Sequence, residues 1–314
     1  MKYITNSKIK ELISMNEVIE AIEDFYLNGD QESVVVPERM HEEDGSNTIL
    51  LMPSLFEDYY GTKLVGVAPK NPSLGKSTIN ALMLLSNRKT MEPIAFMDAQ
   101  EITALRTGAL GGISMKYLTD ENASTIGIIG TGVQGFSHLQ AACAVRPISK
   151  VYIYSRDEDN VNRYIEKVNK DFPELKIEYI ADEELIRRSH IIVTATSSKT
   201  PVLPEVPIED LAEKHIVGCG SFRPYMQEIP DYIFKQLDEV YVDTITALRE
   251  SGDMIRAEEI GIKTENFVTL EDLILNSSQF NSKKKELTVF KSVGMSIFDL
   301  VTAIRVYQNF EGEK

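Results

Sequence analysis

Cysteine is scarce in this 314-residue chain, with only Cys143 and Cys219 present. Two thiols cannot make a disulfide framework or a structural zinc site, both of which need repeated, closely spaced ligands. A reducing, cytoplasmic setting is the expectation that follows. Long apolar runs are missing too. No stretch approaches the ~20 apolar residues of a membrane span, and the N-terminal segment MKYITNSKIKELISMNEVIEAIEDF alternates apolar and charged residues without a signal-peptide core. Basic residues are outnumbered, 33 Lys and Arg against 48 Asp and Glu, for a net charge of −15. Such a surface offers no footprint for nucleic acid or an anionic membrane, so a small anionic ligand would need a local cluster of Arg and Lys. The histidines His41, His138, His190 and His215 lack metal-ligand spacing, and no metal is expected. No internal repeat is visible.

What is present is an ordinary globular composition, 43% hydrophobic, sufficient for a real core. Ser14 followed by Glu17 predicts a capping box that opens a helix through Phe25, with Val18, Ile19, Ile22 and Phe25 on one face. TILLMPSLFEDYY and TKLVGVAP read as strands, 91–98 as another, and 99–118 as a helix whose Gly111 and Gly112 signal close packing. The pattern then changes to short β-branched runs at 125–129, 150–154, 176–180, 190–195, 214–218 and 239–243, with helical stretches such as 133–145 and 158–172 between them. Strand, helix, strand at this spacing predicts a parallel sheet with right-handed crossovers. The closing segment from Thr288 reads as a strand and a helix belonging to the first domain. The expected division is therefore 1–119 with 287–314, and 120–286.

The strongest local signal is TIGIIGTGVQGF. Gly130, Gly132 and Gly135 form G-x-G-x-x-G directly after an apolar strand and at the start of a helix. Gly130 permits the tight turn, Gly132 lets the backbone approach a pyrophosphate, and Gly135 lets helix pack on strand. Backbone N–H groups and the helix dipole would hold the phosphates. At the end of the next strand stand Tyr154, Ser155, Arg156 and Asp157. A small hydroxyl followed by Arg suits a ribose 2′-phosphate, which favours NADP(H), with NAD(H) the alternative because Asp157 could instead accept from a 2′-hydroxyl.

Taken with LMPSL (51–55), GTKLVG (61–66), NPSLGKST (71–78), EITALRTGA (101–109), TATSSKTPV (194–202), GSFRP (220–224) and FKSVGMSIFDL (290–300), the sequence resembles the ornithine cyclodeaminase and mu-crystallin family over nearly its whole length. The resemblance implies an α/β fold: a Rossmann doubly wound parallel sheet inserted into a discontinuous α+β domain that binds substrate and pairs into homodimers. It also implies a carboxylate clamp of Arg39, Lys63 and Arg106, with Lys63 the candidate for orienting the substrate or relaying a proton. A guanidinium fork and a lysine point charge suit that chemistry. Thr78, Thr107, Thr131, Val133, Gln134, Thr196 and Ser292 fall where the family touches its coenzyme.

Two positions depart from the ornithine cyclodeaminases. Those enzymes resemble this chain but carry a Glu before the LMP motif and an Asp in the loop after the fifth Rossmann strand, where this sequence has Leu50 and Phe222. Neither side chain can pair with a distal ammonium or take up a proton. The pattern looks closer to the ketimine and pyrroline-2-carboxylate reductases of the family, so reduction of a small cyclic imino acid to an amino acid such as L-proline is the expectation. Ornithine cyclodeamination, an amino-acid or opine-type dehydrogenase, and a non-catalytic ligand-binding protein are the alternatives.

Overall fold

The computed structural model describes residues 1–313, which form two compact units: Met1–Arg106 together with the segment from Met295 onward, and Thr107–Gly294.

In the first unit, β1 (Lys2–Ile4), β2 (Met40–Asp44), β3 (Asn47–Phe56), β4 (Tyr59–Val67), β5 (Ile79–Asn87) and β6 (Pro93–Asp98) form one sheet in the order β1-β6-β5-β4-β3-β2. The strands from β2 to β6 run antiparallel, and β1 joins β6 in parallel. TILLMPSLFEDYY, read above as one strand, is two. Glu57 takes a φ of 47° and Phe56 pairs with Tyr59, so a two-residue turn reverses the chain inside the run. The helix Met15–Leu27 opens on Ser14 with the reciprocal Glu17 capping box in place, a device worth about 1 kcal/mol.

The two sheet faces differ in what they bury. Met52, Lys63, Met83 and Met97 stand in register across β3, β4, β5 and β6, and all four are buried. The C-terminal helix Ser296–Gly312 packs along β3, β4 and β5 on this unit. It approaches so closely that a Cβ on Gly61 would lie 3.0 Å from the Leu300 side chain. Register places Met40, Leu51, Leu64 and Leu82 in one row on the opposite face.

In the second unit, β7 (Thr125–Ile129), β8 (Lys150–Tyr154), β9 (Lys176–Tyr179), β10 (Ile191–Thr194), β11 (His215–Gly218), β12 (Val240–Val242), β13 (Phe267–Thr269) and β14 (Thr288–Lys291) form an eight-stranded sheet. Its order is β13-β12-β14-β11-β10-β7-β8-β9, and every pairing is parallel. The second unit is a doubly wound α/β sheet of Rossmann type, and the first is an α+β unit. Strand order reverses between β7 and β10, the switch point at whose carboxyl edge open α/β sheets bind ligands. Ile192, Ile216 and Val289, on adjacent central strands, belong to the core that Leu185 and Phe234 close from the connecting segments.

One assignment needs correction. Thr288–Lys291, expected in the first domain, pairs with β11 and β12 and completes the parallel sheet. Its four residues are all buried, as a central parallel strand requires. The units accordingly divide at 106/107, within the helix Ala99–Leu118, and at 294/295, where 119/120 and 286/287 were expected.

Candidate functional site

In the first unit, a buried carboxylate gathers two of the three expected clamp cations. Lys63, on β4, donates from Nζ to Oδ2 of Asp299 at 2.8 Å, and Arg106 donates from Nε to Oδ1 of the same residue at 3.0 Å. Lys63 also donates to the Thr103 hydroxyl at 3.4 Å. Thr103 and Arg106 lie three residues apart on one helix and so share a face. Asp299 is fully buried in the first turn of the helix Ser296–Gly312, where the helix dipole favours a negative charge. Arg39 lies just before β2, partly exposed, and its positive charge reaches Lys63. Burial lowers the Lys63 ammonium from its ordinary value of 10.5 to about 8; Asp299 opposes the shift, and Arg106 and Arg39 add to it. Asp299 was missed in the sequence. The signal lay in FKSVGMSIFDL, where one acid interrupts an apolar helical face.

In the second unit, the glycine loop has the geometry that its sequence implied. Gly130 has a φ of 105°, and a Cβ there would stand 2.5 Å from the Ala195 carbonyl. On Gly135 a Cβ would stand 2.3 Å from the Gly130 carbonyl, whereas on Gly132 it would meet nothing within 4 Å. The loop is thus tight beneath and open above Gly132, which is the N-cap of the helix Val133–Val145 and offers no side-chain cap. The Thr131 hydroxyl is buried and lacks a hydrogen-bond partner. Val133 is exposed. Gln134 uses its carbonyl to accept from Ser137 and His138. Unspent N–H groups at a helix start, an open glycine and an orphaned hydroxyl fit a pyrophosphate.

At the end of β8, Arg156 is exposed and Ser155 accepts from the Asp157 N–H at 3.4 Å. Asp157 caps the next helix, taking the Asn160 N–H at 3.1 Å and the Asn160 side-chain amide at 2.6 Å. Past β10, the N–H and hydroxyl of Thr196 both donate inward to Glu228, at 2.6 and 2.8 Å. The Ser292 hydroxyl likewise donates to Asp243 at 2.8 Å. Thr107 is buried in the helix Ala99–Leu118. Thr78 precedes β5 in the first unit, where its carbonyl accepts from Ala68.

Other candidates have structural explanations. Burial pushes the Cys143 thiol up to about 12 and Cys219 higher still, so neither is a nucleophile near neutrality. Burial lowers His138 to about 4 and His215 to about 3, keeping both neutral. His41 is on the exposed strand β2. A cleft of about 260 Å³ lined by Glu239, Tyr241 and Lys283 opens at the amino ends of β11, β12 and β14, the edge opposite Gly130. Among the described residues no cluster of His, Cys, Asp and Glu could hold a metal, and no helix is long and apolar enough to cross a membrane.

The model of the ornithine cyclodeaminase/mu-crystallin family matches residues 2–314. The chain belongs to this family. Its relatives in the family include the Delta(1)-pyrroline-2-carboxylate reductase of Bacillus cereus, 34% identical with 98% of this chain and 96% of that one covered. Among solved structures, Thermococcus litoralis Delta(1)-pyrroline-2-carboxylate reductase in complex with NADH and L-proline superposes with a TM-score of 0.91 at 31% identity, covering 100% of this chain and 98% of that one. An archaeal alanine dehydrogenase dimer with bound NAD gives a TM-score of 0.88 at 30% identity, with 100% and 97% covered.

Because the Asp299 charge supports the Lys63 ammonium, Asp299→Asn should lower the Lys63 titration midpoint further below about 8. NMR titration of lysine-labelled protein checks this, and an unmoved midpoint would show that Asp299 does not govern the charge of Lys63.

Proposed function

We propose that the chain is an NAD(P)H-dependent reductase of a small cyclic imino acid, converting pyrroline-2-carboxylate to L-proline. The observation that carries this reading is the Lys63, Asp299 and Arg106 arrangement, in a chain with full-length similarity to named pyrroline-2-carboxylate reductases. Two cations sharing one buried carboxylate suit a second carboxylate, that of the substrate, with Arg106 and Arg39 offering planar forks and Lys63 a compact charge. The bound coenzyme supplies a hydride to the C=N carbon, so that imine, reduced coenzyme and one proton give amine and oxidised coenzyme. The protonated imine is the better hydride acceptor. Lys63, holding a proton near neutrality, orients the substrate and is the residue placed to relay one. Most of the acceleration comes from holding the reactants in place.

Leu50 and Phe222 argue against ornithine as substrate. Leu50 faces His41 and Val65 across the sheet, and Phe222 is an exposed loop residue. Neither could neutralise a distal ammonium.

Gly130, Thr131, Gly132, Val133, Gln134 and Gly135 hold the pyrophosphate in this reading, with Thr78, Thr107 and Ser292 as further coenzyme contacts, while Thr196, whose N–H and hydroxyl are committed to Glu228, shapes the loop past β10. At the adenosine end we assign NADP(H) over NAD(H), because Asp157 is spent on its helix cap while Ser155 and the exposed Arg156 are available to a 2′-phosphate. The enzyme is assigned to the cytoplasm. It works as a homodimer through the sheet face carrying Met40, Ile49, Leu64 and Leu82, exposed at 48, 42, 44 and 41%, because several exposed apolar side chains sharing one sheet face call for a partner.

Purified protein should oxidise NADPH when pyrroline-2-carboxylate is added, and Arg156→Ala should weaken NADPH about tenfold or more while sparing NADH, as loss of a charged hydrogen bond implies. Loss of reduced-nicotinamide absorbance reads both. No oxidation with either coenzyme sinks the reductase, and an equal effect on both coenzymes sinks the NADP(H) assignment. Leu64→Arg should turn a dimer into monomers in light scattering, and a monomeric wild type would contradict the proposed interface.

A further inference from the structure

Glu228 is fully buried, and both its oxygens are committed. Oε1 accepts from the N–H and hydroxyl of Thr196 at 2.6 and 2.8 Å, and Oε2 accepts from the N–H groups of Gly220 and Ser221 at 2.7 and 3.2 Å. Thr196 lies just past the carboxyl end of β10, and Gly220 and Ser221 just past that of β11. One side chain therefore joins two loops at the edge where an open α/β sheet receives its ligand.

The joint is close. A Cβ on Gly220 would sit 2.0 Å from the Thr196 carbonyl oxygen and 2.5 Å from Glu228 Oε1. On Gly130 it would sit 3.0 Å from the Thr196 methyl, so the loop that Glu228 holds abuts the phosphate-binding turn. A Rossmann sheet consists of two mononucleotide halves. Here β7, β8 and β9 make the first, with Arg156 at its adenosine end, and β10, β11 and β14 make the second.

The carboxylate is itself fixed from behind. Asp253 Oδ1 accepts from the N–H groups of Glu228 and Ile229 at 2.8 and 3.0 Å. Lys291 Nζ stands 3.2 Å from Asp253 and 3.9 Å from Glu228. Burial pushes the Glu228 carboxyl above its ordinary value and Lys291 opposes that; four donors aimed at its oxygens suit the ionised form. If Glu228 lost its charge, Lys291 would keep Asp253 as its partner.

We infer that Glu228 is a positioning residue, which sets the β10 and β11 loops that receive the nicotinamide half of the coenzyme. The inference rests on the coenzyme reading above. It assigns the purpose of a buried acid that touches neither the glycine loop nor the cation cluster.

Glu228→Gln keeps the volume but leaves one of the two acceptor oxygens. Thr196→Val removes one donor and leaves the carboxylate with three, so the fold is under little threat. Nicotinamide fluorescence gives the NADPH affinity without imino acid, and calorimetry gives that of 2′-phospho-ADP-ribose, which lacks the nicotinamide. Glu228→Gln should raise the Kd for NADPH about tenfold, as an unmet buried donor implies, with a smaller rise in Thr196→Val. The nicotinamide-free fragment should bind both variants as it binds wild type. Equal weakening of coenzyme and fragment would make Glu228 merely structural, and no weakening of NADPH in either variant would overturn the inference. A wild type that binds NADPH but leaves pyrroline-2-carboxylate unreduced sinks the reductase reading and leaves this result standing.

Discussion

Two cations, Lys63 and Arg106, are buried around the single carboxylate of Asp299. Taking an ion out of water costs several kcal/mol even after relaxation, and removing one partner of a buried pair typically costs about 3–5 kcal/mol. The first unit is arranged around meeting that demand. β4 carries Lys63 on its buried face, the first turn of the C-terminal helix delivers Asp299 with its dipole aligned, and Thr103 takes a further hydrogen bond from Lys63. The chain must return from the parallel sheet to the first sheet for this helix to lie there. The discontinuity of the first unit and the charge balance of its cation cluster are thus one constraint seen at two scales.

The acidic surface and the cationic cluster follow different rules. A net charge of −15 is a property of the chain as a whole and supplies no electrostatic footprint for a polyanion. In the proposed reading anion recognition is local: it would use side-chain charge in the first unit and backbone N–H groups at a glycine turn in the second, with Arg156 as the added cation.

Much of the second unit was legible because its periodicity and its chemistry agree. The runs 125–129 and 150–154 and the helix 99–118 match the structure residue for residue. The Ser14 capping box and the Gly130 turn were readable for the same reason, since each local signal has one geometric solution. What escaped the sequence depended on partners distant along the chain. The edge strand β2, MHEED, is exposed throughout and has no apolar alternation to betray it. Thr288–Lys291 reads as a buried strand in either domain, and only pairing with β11 and β12 decides between them. Asp299 lies 236 residues from Lys63, and Glu228 lies 32 from Thr196, so no local spacing could announce either. Arg39, Lys63 and Arg106 were recognisable as a set only through family resemblance.

The central claim is that the cation cluster exists to take a carboxylate. Calorimetric titration of the coenzyme-loaded enzyme with L-proline and with L-prolinamide tests it most directly, because the two ligands share a ring and differ in that one charge. The expected result is measurable binding of L-proline and loss of binding for the amide. Equal affinity for both would contradict the assignment of Lys63, Arg106 and Arg39 to the substrate carboxylate.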